Sequence, residues 1–438
     1  MKLSHRITHI TGGGSDGWDV FYKARRMIAD GVPVTELTIG EHDIRTSPEI
    51  LTAMHAAAID GHTGYAMVPG THALRKSVAA RIAARTGVPT TADNILITPG
   101  GQAALYAAHN AVCDPGDTAV YIDPYYATYP GTIRGAGALP RALVTTPDTA
   151  FQPTGKALLE ATKGAASLLV NTPNNPTGVV YSADTLHAIA DACITNDVWL
   201  ISDEVYDTQV WEGTHISPRS LPGMADRTLV VGSMSKSHAM TGSRVGWICG
   251  PAEAISLVIY LATHTTYGVA GFIQDAADFA LNQGDSVEEE VAAPFRRRRG
   301  LTMQALDGQN VIRAVPAQGA MYVMLDIRAT GMSGEDFANA LLDAEHIAVM
   351  PGESFGQAAA GHIRVAMTIA DEQYVDAQQR LIAIASLKAG QQARYTKKGP
   401  GSAATGPRYA SLALIFGEGT VRWDAYGVAY LEFERSTQ

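Results

Sequence analysis

The feature that most constrains the fold is an alternation of short β-branched runs with amphipathic helical patterns in the middle of the chain. The helical patterns include AALYAAHNAV and ADTLHAIADACITN. This alternation favours an α/β sheet of mainly parallel strands that helices cover on both faces. Ligands in such sheets bind at the carboxyl ends of the strands. The predicted strands are NILIT (94–98), TAVYID (118–123), SLLVNT (167–172), VWLISDE (198–204), TLVVGSM (228–234) and VGWICG (245–250).

The composition is that of an ordinary globular enzyme, with 438 residues, 46% hydrophobic and 17% charged. A formal net charge of −10 argues against nucleic acid and anionic membranes as partners. The basic run Arg296–Arg299 follows the acidic residues 288–290 on one helical segment. We therefore predict that the run forms a solvated helix face rather than a nucleic-acid patch.

The cysteines also bear on the compartment. Cys113, Cys193 and Cys249 lie far apart in apolar segments, without metal-ligand or disulfide spacing. Neither a signal peptide nor a membrane span is evident. The sequence therefore predicts a cytoplasmic protein without a metal site.

The character of the chain changes near residue 285. A long helical segment, VEEEVAAPFRRRRGLTMQALDG, leads into a helix and strands that predict a smaller α+β domain. The segment QQARYTKKGPGSAATGPRYA is rich in Gly, Pro, Ser and Lys, which is typical of a linker. The apolar alternation after it is compatible with an appended hairpin. We assign residues 391–438 as a linker and tail of unknown role.

The segment TPGGQAALYAA places two glycines between a strand and a helix. The backbone amides of Gly101, Gln102 and Ala103 would then point outward at a helix N-terminus. Such amides bind phosphate, although a glycine turn before a helix is by itself only a turn.

Two further motifs end predicted strands. Asp203 stands at the end of one strand in VWLISDEVYD, with Tyr206 three residues later, and NTPNNPTG (171–178) ends another. An acid at this position can cap a helix or serve chemistry. Likewise, NTPNNPTG is either an ordinary turn or a rigid segment that fixes an asparagine side chain beside the strand ends.

The segment SMSKSHAMTGSRVGW (233–247) carries Lys236 and Arg244 between two predicted strands. Partial desolvation would lower the pKa of the lysine and free its amine to attack a carbonyl. Amides, hydroxyls and Arg244 suit a phosphate, and the carboxylate of Asp203 suits a cationic ring nitrogen. Phosphate, aldehyde and pyridinium together describe pyridoxal 5′-phosphate.

The motifs NNPTG, DEVY and SMSK, with an arginine eight residues past the lysine, resemble those of the class I/II, fold-type-I aminotransferases. The resemblance extends from about residue 20 to 388 in the family's order. It implies an α/β fold, with a mainly parallel seven-stranded sheet and helices on both faces, plus a smaller α+β domain. The implied boundaries are 1–45 for an N-terminal arm of the small domain, 46–284 for the large cofactor domain and 285–390 for the small domain.

The resemblance also implies roles for individual residues. Lys236 would be the Schiff-base lysine and proton shuttle, and Asp203 the partner of the pyridine nitrogen. Tyr206 and Asn175 would bind the phenolic oxygen, and Tyr126 would stack on the ring. The implied phosphate ligands are Ser233, Arg244 and the amides of Gly101 and Gln102.

Three further matches concern the substrate and the assembly. Arg364 in GHIRVAM resembles the family arginine that binds the α-carboxylate, and Gly40 in LTIGEHD the glycine whose backbone meets the same group. Asn175 is also expected at the substrate. Tyr65 resembles a tyrosine that reaches the phosphate of a neighbouring subunit, which implies a homodimer with shared active sites.

The chain departs from the family pattern where GEHDIRTSP replaces GEPDF-x-TP. Some aspartate-specific members carry a lysine at the position of Gln102, where it binds the distal carboxylate of the substrate. Its absence here weakens the case for an acidic substrate without excluding one. Arg45, His42 and His264 are candidates to recognise the substrate side chain instead, and we expect neutral amino acids to be accepted at least as well as aspartate.

The sequence thus predicts transamination between an L-amino acid and a 2-oxo acid. A C–S lyase or another β-eliminating enzyme is the alternative, because the cofactor pocket would be the same. A non-catalytic regulatory protein is disfavoured by the presence of Arg364.

Overall fold

The computed structural model describes residues 1–397, 420–423 and 429–432. These form one compact unit over Met1–Ala389 and a second over Gly390–Gln438. The helices are α1 His5–Thr8, α2 Asp19–Ala29, α3 Pro48–Ile59, α4 His72–Thr86, α5 Gly100–Val112, α6 Tyr129–Gly135, α7 Gly155–Ala161, α8 Ala183–Asn196, α9 Met234–Ser237, α10 Ala252–Thr263, α11 Gly271–Leu281, α12 Asp285–Leu306, α13 Gly334–Glu345 and α14 Asp371–Lys397.

The strands fall into three sheets. Their bounds are β1 Thr35–Leu37, β2 Ile95–Thr98, β3 Thr118–Asp123, β4 Leu139–Val144, β5 Ser167–Asn171, β6 Trp199–Asp203, β7 Thr228–Ser233, β8 Gly246–Cys249, β9 Arg313–Ala314, β10 Tyr322–Asp326, β11 Ile347–Pro351, β12 His362–Ala366, β13 Thr420–Trp423 and β14 Ala429–Glu432.

The large sheet has seven strands in the order β2-β8-β7-β6-β5-β3-β4. Strands β4, β3, β5, β6 and β7 pair in parallel, and β8 is antiparallel to both of its neighbours. The central strands β5 and β7 are buried at every residue, as apolar runs between helical layers should be. The predicted α/β architecture with a mainly parallel seven-stranded sheet is confirmed.

One strand of this sheet was not predicted. Strand β4, LPRALV, lies at the sheet edge, and most of its residues are at least partly exposed. An edge position tolerates Pro140, whose nitrogen cannot donate to a ladder, and an exposed Arg141. Because β4 is exposed, its sequence lacks the apolar pattern by which the other strands of this sheet were predicted.

The smaller sheet has five strands in the order β1-β11-β12-β10-β9. Strand β1 pairs in parallel with β11, and Val20 and Ala24 of α2 join the same apolar core. The N-terminal segment therefore packs with the small sheet, while the domain boundaries at 45, 284 and 390 stay predictions.

Two expectations need correction. Helix α14 runs to Lys397, so residues 391–397 are helical rather than linker. Arg298 is buried, whereas the run Arg296–Arg299 was predicted to be solvated; it pairs with Asp43 and Asp371. Arg296, Arg297 and Arg299 also pair with carboxylates. In the second unit, β13 and β14 form an antiparallel pair, and the rest of the predicted linker and tail lies outside the described residues.

Candidate active site

The carboxyl ends of the central strands meet at one edge of the large sheet. Asn171 pairs with Asp203 and Asp203 with Val231 across the parallel ladder, so their side chains share this edge. A cavity of about 320 Å³ opens there. Its walls include nearly all residues predicted for the site: Gly40, Gly101, Gln102, Tyr126, Asn175, Asp203, Tyr206, Ser233, Lys236, Arg244 and Arg364. Tyr65 is not among them; it is 92% exposed, with its ring edge-on to that of Tyr267.

Lys236 lies on α9, a single helical turn that directly follows β7. Its Nζ donates a hydrogen bond to the carbonyl oxygen of Gly40. Burial lowers the pKa of Lys236, and the cationic side chains of Arg364 and Arg244 lower it further. The amine is therefore easier to deprotonate than an ordinary lysine, as a nucleophile and proton carrier requires.

Asp203 ends β6 and is buried. Its Oδ2 accepts a hydrogen bond of 2.7 Å from the hydroxyl of Tyr129, and its Oδ1 one of 3.3 Å from the amide of Val205. Burial raises the pKa of Asp203 to about 6. None of the ion pairs among the described residues includes this carboxylate, so it can accept a cationic partner from a ligand.

Arg364 on β12 is 1% exposed. Its Nη1 donates to Oδ1 of Asn175 over 2.9 Å, and its Nη2 donates to the carbonyl of Thr38. The rings of Tyr322 and Phe355 each lie 4.3 Å from its Cζ. Its Nε is buried without a hydrogen-bond partner, and burial lowers the pKa of the guanidinium. A buried cation held only by neutral groups fits a ligand carboxylate.

The N-terminus of α5 offers amides beside this cavity. The N-cap residue of α5, Pro99, makes no side-chain hydrogen bond to the first turn. Its side chain therefore does not occupy the amide donors of that turn. Gly100 has φ +79°, and a Cβ there would lie 2.3 Å from Nη2 of Arg244. A side chain at this position would thus displace the guanidinium from the helix end.

Ser233 and Arg244 complete this corner of the cavity. The Ser233 hydroxyl accepts from the amide of Ser235 over 3.1 Å, and Nη1 of Arg244 donates to the carbonyl of Thr241 over 2.8 Å. No described ion pair includes Arg244. The corner therefore gathers a hydroxyl, helix-end amides and a cation, which together suit a phosphate.

The cavity between Arg364 and the corner formed by Ser233 and Arg244 is also lined by Tyr206, Asn175 and Tyr126. The Tyr206 hydroxyl donates to that of Tyr322 over 3.3 Å, and burial raises the pKa of Tyr206 well above its ordinary value. The Asn175 oxygen faces Arg364, which leaves its amide protons for a ligand oxygen. The ring of Tyr126 is edge-on to that of Tyr129 at 5.8 Å.

The candidates for side-chain recognition do not line the cavity. His42 donates from Nε2 to the carbonyl of Lys236 over 3.0 Å, and burial lowers its pKa to about 4, which keeps it neutral. Arg45 and His264 are exposed. Gln102 does line the cavity, but its amide donates to Thr132 over 2.6 Å and accepts from Thr128 over 3.0 Å.

Several residues of the cavity were missed by sequence reasoning, among them Trp18, Glu41, Tyr129 and Tyr322. Tyr129 belongs to the same DPYYATY run as Tyr126, and Tyr322 is the first residue of β10. Their types carried a signal for aromatic packing but none for this location. Trp18 had no motif around it.

No helix in the described part of the chain is long and apolar enough to cross a membrane. Among the same residues, no group of His, Cys, Asp and Glu could hold a metal ion. The three cysteines are buried free thiols.

The fold and this cavity define an enzyme of the aminotransferase type. The sequence model described as "Aminotransferase class I and II" matches residues 32–381, so the chain belongs to this family. It is an enzyme, a transferase that moves amino groups, and the family uses pyridoxal phosphate.

Relatives and solved structures agree with this assignment. The arginine–pyruvate transaminase AruH of Pseudomonas aeruginosa is 37% identical over 392 residues, which cover 89% of this chain and 100% of that protein. The aspartate/prephenate aminotransferase of Thermus thermophilus is 34% identical over 82% of this chain and 92% of its own length. A structure of aspartate aminotransferase from Thermus thermophilus with maleate has a TM-score of 0.82 at 32% identity, covering 88% of this chain and 100% of that one.

Proposed function

We propose that this aminotransferase uses pyridoxal 5′-phosphate to transfer an amino group from an L-amino acid to a 2-oxo acid, with Lys236 as the amine that binds the cofactor aldehyde. One observation carries the proposal. A single cavity contains a desolvated lysine, a buried carboxylate without a cation and a buried guanidinium without an anion. Buried charges need partners, and a phosphorylated pyridine aldehyde with an amino acid supplies all of them.

The residues present fit this cofactor at each of its polar groups. Asp203 would pair with the ring nitrogen, and Ser233, Arg244 and the amides of Gly101 and Gln102 would bind the phosphate. Tyr206 and Asn175 would donate to the phenolic oxygen, and Tyr126 would cover the ring face. When bound, the cofactor supplies an electron sink that stabilises negative charge at the substrate α-carbon.

The remaining polar groups hold the substrate and move its proton. Arg364 would bind the α-carboxylate through its planar guanidinium, with the backbone of Gly40 beside it. The lowered pKa of Lys236 favours its neutral amine. This amine would take the proton from the substrate α-carbon and pass it to the cofactor. The hydrogen bond from Lys236 to Gly40 would link the proton carrier to the segment proposed to contact the substrate carboxylate.

A homodimer with shared active sites is part of this proposal. Tyr65, Met67 and Tyr260 are apolar or aromatic and are exposed by 92%, 70% and 68%. Burial of such surface in a second copy is favourable. Tyr65 would then reach the phosphate site of the neighbouring subunit. The free buried thiols agree with the proposed cytoplasmic location.

The test uses purified protein saturated with pyridoxal phosphate and a panel of alanine, aspartate, phenylalanine, methionine and arginine. We expect each accepted amino acid to change the absorbance of the bound cofactor and to yield its 2-oxo acid, and a second 2-oxo acid to reverse the change. Lys236→Ala should abolish both signals, whereas Lys156→Ala, at an exposed lysine outside the cavity, should retain them. Release of ammonia with loss of the β-substituent would identify β-elimination instead.

A further inference from the structure

A second and larger cavity adjoins the proposed active site. Its volume is about 900 Å³, and it lies against the N-terminal residues 6–18 and the first turns of α5 and α6. Trp18 and Gln102 line both cavities. A substrate side chain that leaves the catalytic cavity past these two residues would therefore enter the larger one.

The cationic side chains of the catalytic cavity are already assigned to other groups. Lys236, Arg244 and Arg364 would meet the aldehyde, the phosphate and the α-carboxylate. At the junction, Gln102 is neutral, and both ends of its amide are bonded to threonines. A distal carboxylate on the substrate would thus find no uncommitted cation at this point.

Asp16 lines the larger cavity and lies two residues before Trp18 in the chain. The amide of Trp18 donates to its Oδ1 over 3.1 Å, and the hydroxyl of Tyr22 donates to its Oδ2 over 2.9 Å. No ion pair within the described residues includes Asp16. An ionised carboxylate accepts about four hydrogen bonds, so this one retains capacity for a cationic donor.

The other charged residues that line the larger cavity lie farther from Trp18 along the chain. Arg134 donates to the carbonyl of Ile10 over 3.2 Å, and Oε1 of Glu353 accepts from the amides of Gly334 and Gly361 over 2.9 and 3.1 Å. Arg6 lies on α1, ten residues before Asp16 in the chain. Of the charged side chains that line the larger cavity, Asp16 is therefore the closest in sequence to Trp18.

We propose that Asp16 and Trp18 select amino-acid substrates with a long cationic side chain. The indole of Trp18 flanks the path of that side chain and favours a guanidinium or ammonium by cation–π attraction. The carboxylate of Asp16 pairs with the charged end, in fork geometry for a guanidinium. This assignment rests on the proposed transamination and names the substrate class of the same site.

The first test compares kcat/KM for arginine and lysine with that for norleucine, alanine and glutamate. We expect the cationic amino acids to lead. Asp16→Asn keeps the hydrogen-bond acceptor and removes only the charge, so arginine and lysine should lose about tenfold while norleucine and alanine stay within about threefold. Asp16→Lys should lower arginine further and raise glutamate. Asp30→Asn, at the other end of α2, removes the same charge outside both cavities and should change none of these ratios.

A second measurement does not depend on turnover. A guanidino acid that has a carboxylate but no α-amino group cannot react, so its binding reports recognition alone. Calorimetry should show that 5-guanidinopentanoate binds the wild type at least about tenfold more tightly than hexanoate, and that Asp16→Asn removes the difference. If no amino acid is transaminated, the proposed function fails. If alanine and norleucine react but neither arginine nor the guanidino acid is favoured, or Asp16→Asn leaves the preference intact, the assignment of Asp16 and Trp18 is overturned.

Discussion

The hydroxyl of Tyr129 donates a 2.7 Å hydrogen bond to Oδ2 of Asp203 at the floor of the cavity. Both side chains are buried, and the hydrogen bond favours the ionised form of the carboxylate against a burial effect that raises its pKa to about 6. Tyr129 therefore keeps Asp203 available to pair with a protonated ring nitrogen at neutral pH. The tyrosine acts through the aspartate.

The first prediction concerns the pH dependence of cofactor binding. In the cofactor-free protein, affinity for pyridoxal phosphate should fall as the pH drops through about 6, because Asp203 becomes protonated. Tyr129→Phe removes a hydrogen bond to the charged form, so the acid limb should move to higher pH. Binding titrations between pH 5 and 8 measure this shift.

The matched control is Tyr181→Phe, at a buried tyrosine outside the cavity, and it should leave the limb in place. An unchanged limb in Tyr129→Phe would mean that a group other than Asp203 governs the acid side.

The second prediction is that Asp203→Asn retains cofactor but lowers kcat by several orders of magnitude. The amide cannot hold a proton on the ring nitrogen, and without that proton the ring withdraws charge poorly. Steady-state kinetics and the absorbance of the bound cofactor provide the measurement. A loss of about tenfold, or about 1.4 kcal/mol of barrier, would reduce Asp203 to a structural cap.

The third prediction concerns stability without the cofactor. The folded pKa of Asp203, about 6, lies above that of an unfolded aspartate, so the folded state binds more protons between about pH 4 and 6. Stability from this group is present below that range and is lost as the pH rises through it. At pH 7, Asp203→Asn should therefore stabilise the cofactor-free protein by about 2–3 kcal/mol, and at pH 4 by almost nothing.

Urea unfolding of cofactor-free wild type and variant at the two pH values checks this. An equal gain at both pH values would show that the aspartate charge is not its cause.

Much of the fold and of the cofactor site could be predicted, because both follow from local patterns. The central strands β5 and β7 are buried at every residue and mostly apolar, and parallel strands bring their carboxyl ends to one edge. Asp203 is the last residue of β6, and Lys236 follows the end of the neighbouring parallel strand β7 by three residues, so their meeting follows from the topology. The assigned roles remain predictions.

The remainder depends on contacts between distant segments. Trp18 and Asp16 precede the first strand, and no periodicity places them beside Gln102. The histidine at 42 was a candidate to contact substrate, but its ring bonds the carbonyl of Lys236 and packs on Phe295. Arg298 belonged to a charged run and is buried because Asp43 and Asp371 converge on it from other elements.

The fourth prediction is that Arg364→Lys weakens all amino acids together, by about ten- to a hundredfold in kcat/KM. A single ammonium cannot replace the fork that bonds Asn175 and Thr38 and stacks between two rings. Kinetics with alanine, phenylalanine and arginine measure the loss. The control Arg141→Lys, on the edge strand β4, should have no effect, and selective loss of one substrate would assign Arg364 to the side chain instead.

The last prediction concerns Gly40, whose carbonyl accepts the hydrogen bond of Lys236. A Cβ at this position would lie 1.8 Å from the Tyr322 hydroxyl and 3.1 Å from Sδ of Met321, both on buried residues of the apolar core around the small sheet. Because neither neighbour can withdraw freely, Gly40→Ala should push residues 38–40 away from the core. This movement would disturb two contacts at once, that of Lys236 with Gly40 and that of Arg364 with Thr38. We expect kcat/KM for every amino acid to fall by at least about a hundredfold, with a stability loss of about 1–3 kcal/mol from overpacking.

Gly300→Ala is the control, since its Cβ on α12 would meet no atom within 4 Å and alanine favours the helix. Full activity in Gly40→Ala would mean that the segment shifts without cost and that its backbone positions neither Lys236 nor the substrate carboxylate.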